Sequence, residues 1–154
     1  MKKFSFRLKL CITLLCVNLA FIWGNSLLPG EISGAFSDWV KALLKALFGG
    51  GSGGGGGGGL LRKLAHFTEF TCLGLCLAWL FRMVREKHAE HWLLPLLCGF
   101  LVACIDETIQ IFVPLRGPAI KDVGIDTSGV LLGIVIINVY QQIKISKNNG
   151  GKEQ

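Results

Sequence analysis

Apolar residues run from Leu10 to Trp23 with interruptions only at Thr13 and Asn18. Counted from Phe4 to Leu28, the stretch of about 25 mostly apolar residues is long enough to cross a bilayer with some tilt. Its basic start (Lys2, Lys3, Arg7, Lys9) is also how a secretory signal begins. The small-x-small site at Ala35-Phe36-Ser37, however, lies well beyond the apolar run, so a retained first spanning helix is expected. Pro29-Gly30 ends it. From Glu31 to Phe48, Phe36, Val40, Leu43, Leu44 and Leu47 recur at helical spacing, with Ser37, Asp38, Lys41 and Lys45 on the other side. This amphipathic helix is too polar to span, and it either lies in the membrane interface or packs on the bundle. Residues 49–59 are glycine except Ser52, the composition of a flexible tether. A phosphate-cradling loop would need a Lys-Ser/Thr ending and a flanking strand, and neither is present.

Three more spans follow: Leu60 to Val84, Trp92 to Val113, and Asp122 to Ile145. A charged hinge, Arg85 to His91, joins the first two, and a short loop from Pro114 to Lys121 carries Arg116 between Pro114 and Pro118. Gly129 and Gly133, four apart in the last span, are the kind of small residues that let a partner helix approach closely. The predicted fold is all-α: a polytopic bundle of about four transmembrane helices plus one interfacial amphipathic helix, forming a single domain over 1–154.

Composition agrees with a bilayer as solvent, at 51% hydrophobic and only 17% charged residues. The net charge of +6 raises the possibility of nucleic acid, but no basic face with interleaved aromatics appears. The positive residues instead flank the apolar runs. Cys11, Cys16, Cys72, Cys76, Cys98 and Cys104 all lie inside those runs at irregular spacings. They read as small packing residues rather than as disulfides or a zinc site.

Orientation follows from Lys and Arg counts. Four crossings put the N-terminal tail, the hinge and the C-terminal tail on one side with ten basic residues, against six on the other. The excess places both termini in the cytoplasm. Every unusual polar residue then falls toward the extracytoplasmic face: Arg62, Lys63, His66 and Glu69 start the second span, Asp106, Glu107 and Gln110 end the third, and Asp122 and Asp126 start the fourth.

A carboxylate deep in a spanning helix costs about 2.5–3.5 kcal/mol on insertion scales, so such groups face one another or water. Arg62, His66, Glu69 and Leu73 share one helical stripe, Asp106 and Gln110 a second, and Asp122, Asp126, Gly129 and Gly133 a third. Neighbouring Asp106 and Glu107 diverge by about 100° and need partners on two sides. Three inward stripes make a wet pocket. The plain structural account is an ion-pair network in which Arg62 and Arg116 neutralise Asp106 and Asp122, and His66 bonds Glu69 or Asp126. Two functional accounts stand beside it. Arg62, Lys63 and Arg116 suit an anionic headgroup or pyrophosphate. His66, Glu69, Asp106 and Asp126 suit acid–base work on a lipid-linked substrate, and Asp106, Glu107, Asp126 and His66 suit a divalent metal. No HExxH or GxSxG motif supports the enzyme, and no cofactor is indicated. The polar residues stay at one end of the membrane, which argues against an ion pathway.

Arg62-Lys63-Leu64-Ala65-His66-Phe67-Thr68-Glu69-Phe70 resembles the RKxAHxxEY/F signature of the VanZ-like membrane proteins. Asp106-Glu107-Thr108-Ile109-Gln110, followed by Arg116, Asp122, Asp126, Gly129 and Gly133, is similar to that family's second pattern in order and spacing. Asp126 stands where the family often carries Asn, which makes this site more acidic. The resemblance covers Leu60 to Gly133 and implies a bacterial plasma-membrane protein. It also implies a role in the cell envelope, because the founding member confers resistance to teicoplanin, a lipid-tailed glycopeptide that acts on cell-wall precursors outside the membrane. The expected partner is a membrane lipid, a lipid-linked cell-wall precursor or the glycopeptide itself. The expected binding residues are Arg62, Lys63, His66, Glu69, Asp106, Glu107, Gln110, Arg116, Asp122 and Asp126. The alternative function is a membrane-embedded hydrolase or transferase.

Overall fold

A computed structural model of the chain describes residues 6–32, 35, 38, 39, 42, 57–84, 92–117 and 119–150. Its four long helices are α1 (Phe6–Leu27), α2 (Gly57–Val84), α3 (Leu93–Ile111) and α4 (Ile120–Gly150). Each contains a segment long and apolar enough to cross a membrane. No strand occurs among the described residues. Of the expected amphipathic helix, residues 31, 32, 35, 38, 39 and 42 are helical; the rest of it, residues 49–56 of the glycine tract, the hinge 85–91 and Pro118 lie outside the described residues. The last three glycines, 57–59, already belong to α2. Helix α4 runs five residues past the Ile145 expected as its end.

Between 17% and 33% of each span is buried inside the protein. The outward faces carry Leu14, Val17, Phe21, Leu101, Ile105, Val135 and Val139, all more than one-third exposed. Apolar surface on this scale is expected where lipid covers it. The core is a narrow seam of Ile22, Phe70, Leu73, Ala78, Ala103, Val130 and Ile134, with contributions from all four helices.

Helix α2 packs chiefly against α4. A Cβ on Gly74 would lie 2.2 Å from the Val130 carbonyl oxygen, and one on Gly133 would lie 2.3 Å from that of Thr71. The backbones therefore touch at reciprocal glycines, as small-residue packing in membranes allows. Helix α3 joins through Gly99, whose missing side chain seats the Val130 methyls. At the end of the bundle away from the charged residues, Arg82 of α2 donates to the Asn138 side chain of α4. All six cysteines are free, and the Cys11 thiol donates to the Cys76 carbonyl at 3.5 Å.

Candidate functional site

The polar residues meet at one end of the bundle, where α1 and α3 finish and α2 and α4 begin. Helical periodicity accounts for the local arrangement. His66 and Glu69 lie on the α2 face turned to α1 and α3, and Asp106 and Gln110, one turn apart, lie on the inner face of α3. Gln110 Nε2 donates to Asp106 Oδ2 at 2.9 Å and to Ser26 Oγ of α1 at 3.3 Å. His66 Nδ1 is 3.9 Å from Asp106 Oδ2. Glu107 diverges from Asp106 as expected and accepts the Ala119 backbone N–H at 2.9 Å, where the loop enters α4. Lys63 pairs with Asp122 at 3.1 Å.

Asp106, Glu107, Gln110, Arg116 and Asp126 are all buried; Asp126 is 1% exposed and Asp106 fully buried. His66, Asp106 and Asp126 each bring one ligand atom to within 4.8 Å of the other two. Beside them, Arg62, Lys63, Glu107, Gln110, Asp122 and Asp126 border a small cavity of about 10 Å³, the room of one water-sized sphere.

The ion pairs differ from those expected. Asp122 is held by Lys63, not by Arg62 or Arg116, and His66 comes to 3.9 Å from Asp106 rather than pairing with Glu69, with Asp126 no farther than 4.8 Å. Arg116 does something else. Its Nη2 donates to the Asn25 carbonyl at 2.6 Å and its Nε to the Leu28 carbonyl at 3.1 Å. The guanidinium thus satisfies the last carbonyls of α1 and complements that helix's C-terminal dipole. Burial, then the neighbouring Arg62, press its pKa below the ordinary guanidinium value. An arginine nonetheless stays protonated in proteins.

Helix α1 supplies a fourth polar stripe that the sequence reading passed over. Asn25 Nδ2 donates to Glu69 Oε1 at 2.8 Å, Asn18 Nδ2 reaches the Glu69 carbonyl at 3.4 Å, and Ser26 is fully buried. The signal was present: Asn18 and Asn25 are seven apart, two helical turns, with Ser26 beside the second.

Between α1 and α2 a second, much larger opening of about 880 Å³ runs from this polar end along the apolar helix faces. Arg62, His66, Glu69 and Arg116 line it, with Asn18, Asn25 and Thr68 and with the apolar Phe21, Leu28, Ile32, Leu61, Leu64 and Ala65. An opening lined by both charged groups and a larger apolar surface suits an amphiphile.

No curated protein and no solved structure matches the chain. A family profile described as VanZ/LLP1 does match, over residues 9–141, from the first helix through most of α4 and across every residue of the site. On that match, the chain belongs to the VanZ/LLP1 family.

Proposed function

We propose that this protein holds an amphiphilic ligand with an anionic head, a membrane lipid or a lipid-linked cell-wall precursor, at an outward-facing charged pocket of the bacterial plasma membrane. The observation that carries the reading is the groove between α1 and α2, which brings Arg62, His66 and Arg116, with Glu69 held by Asn25, together with a mainly apolar lining. Arg62 offers a guanidinium that can hold phosphate oxygens bidentately. The tail lies along Phe21 and Leu64. In this reading both termini are cytoplasmic, which the ten-to-six excess of basic residues favours. A contribution to glycopeptide resistance is part of the same proposal, since teicoplanin joins a lipid tail to a head that acts on wall precursors outside the membrane.

Two measurements test it. Single cysteines at positions 116 and 122, on a cysteine-free background in intact cells, are labelled by a membrane-impermeant maleimide. Labelling only after the cytoplasm is opened overturns the orientation. Native mass spectrometry of the purified protein then shows retained phosphatidylglycerol or polyprenyl phosphate, lost in Arg62→Ala and in Leu64→Trp, which fills the groove. Equal lipid retention in all three proteins refutes the ligand.

A further inference from the structure

Five carboxylates lie at the polar end, Glu69, Asp106, Glu107, Asp122 and Asp126, against three Lys and Arg side chains, Arg62, Lys63 and Arg116. The partners are unevenly shared. Asp122 has Lys63, Glu69 has the Asn25 amide, and Glu107 has a backbone N–H. Arg116 is committed to the carbonyls of α1. Asp106 and Asp126 are the two most deeply buried: Asp126 is left without a partner among the described residues, and Asp106 has the Gln110 amide and His66 at 3.9 Å but no Lys or Arg. Among the described residues neither has a Lys or Arg nitrogen within 4.0 Å. One oxygen of each, Asp106 Oδ1 and Asp126 Oδ1, is buried without any hydrogen-bond partner, and so are His66 Nδ1 and, in the same cluster, Glu69 Oε2. Buried groups of this kind are paired, hydrogen-bonded or metal-bound in folded proteins, because leaving them bare is costly. With all five carboxylates deprotonated the excess would be two negative charges, the charge of one divalent cation.

The geometry points to a divalent transition-metal site formed by His66, Asp106 and Asp126. Ligand atoms from these three residues, on three different helices, lie within 4.8 Å of one another. A tetrahedral site with bonds of 2.0–2.1 Å needs donor separations of about 3.3 Å, so side-chain rotations of about an ångström close the set. One imidazole nitrogen with two carboxylate oxygens suits zinc or manganese better than magnesium or calcium, which favour oxygen alone. Three protein ligands leave at least one position for water or for an anionic oxygen. Gln110, which donates to Asp106 Oδ2, is the supporting group that fixes the orientation of this ligand. The site stands without the lipid reading, since it draws on the buried carboxylates rather than on the groove.

The test uses the full chain, purified in detergent on a background in which the six cysteines are replaced, so that thiols do not capture metal. After chelator treatment and its removal, Mn²⁺ and Zn²⁺ are each titrated and bound metal is measured by equilibrium dialysis with elemental analysis. One ion per chain is expected, with a rise in unfolding temperature. Manganese electron-spin-echo spectra are expected to show a nitrogen coupling that disappears in His66→Gln. Asp126→Asn lowers affinity at least 10-fold to 100-fold, while Glu31→Gln, at an exposed carboxylate in the helical stretch after α1, changes nothing. Wild-type protein that binds neither ion at micromolar concentration overturns the proposal whatever the variants do. So does a bound ion whose affinity is unchanged in Asp126→Asn, or whose nitrogen coupling survives in His66→Gln.

Discussion

Replacing Gly133 by alanine tests the seam on which the whole arrangement depends. The added Cβ would meet the Thr71 carbonyl oxygen at 2.3 Å and the Leu75 nitrogen at 2.7 Å, both backbone atoms that no rotamer change can move. Relieving the first contact to the 3.0 Å below which real Cβ atoms essentially never approach another atom requires α2 and α4 to part by about 0.7 Å. Overpacking of this sort costs about 1–3 kcal/mol, and a rigid obstruction belongs at the upper end. Alanine recovers roughly 0.5–1 kcal/mol through its better helix propensity. The net loss is about 2 kcal/mol, or about 30-fold in the folded-to-unfolded ratio. Gly124, in the same helix with nothing within 4 Å of its Cβ position, is the control. Gly124→Ala is expected to be neutral or to stabilise by up to about 1 kcal/mol. Equilibrium unfolding in mixed micelles of mild detergent and dodecyl sulfate, followed by circular dichroism, measures both. Equal effects of the two substitutions, or a Gly133→Ala protein as stable as wild type, refute the close-packed seam.

Further expectations concern the loop that carries Arg116. Arg116→Lys keeps the charge but loses the planar fork that serves two carbonyls, and should cost about 1.5–3 kcal/mol in the same unfolding assay. A Cβ on Gly30 would lie 2.2 Å from the Leu115 carbonyl oxygen, so Gly30→Ala should push the loop off the end of α1. Faster hydrogen exchange at residues 115–117, with the α2–α4 seam unchanged, is the expected reading. Leu115 is 74% exposed and holds φ at 60°, a left-handed conformation costly for a side chain of its size. Leu115→Gly should therefore stabilise by about 1 kcal/mol, and destabilisation there would mean that the Leu115 side chain contributes more than its exposure indicates.

Much of this molecule was legible in the sequence because the bilayer imposes its own grammar. Length and hydropathy place a spanning helix, and an ionisable residue inside one must face inward, so the stripes at 62–69, 106–110 and 122–126 could be expected to converge. The Gly129 and Gly133 pair announced a close helix contact. Its partner did not show, because Gly74 sits singly between Leu73 and Leu75 and only the packing of α2 on α4 selects it. The ion pairs escaped for a related reason. Arg62 and Lys63 differ by about 100° around α2, and either could have faced Asp122 until the rotation of that helix was fixed. Helix α1 was hardest to read: Asn18, Asn25 and Ser26 are short neutral side chains that an apolar run tolerates without penalty large enough to mark them. Arg116 was placed correctly in the loop but given the wrong partners, since backbone carbonyls at a helix end leave no trace in side-chain patterning.

The glycine seam and the charged end are parts of one construction. Asp126, Gly129 and Gly133 fall at i, i+3 and i+7, on the face of α4 that meets α2. A Cβ on Gly129 would lie 2.6 Å from the carbonyl oxygen of Phe67, the residue after His66. The contact that removes every atom between the two backbones there also brings Asp126, less than one turn away, within reach of His66 and Asp106. Gly129→Ala touches none of the proposed metal ligands, yet it should separate Asp126 from the other two. About tenfold weaker manganese binding is expected, an effect of the size seen when a supporting group is removed. The nitrogen coupling from His66 should survive in the metal that remains, because His66 and Asp106 keep their relation. If Gly129→Ala loosens the seam by unfolding assay and leaves manganese affinity unchanged, then Asp126 is not held in place by the close approach of α4.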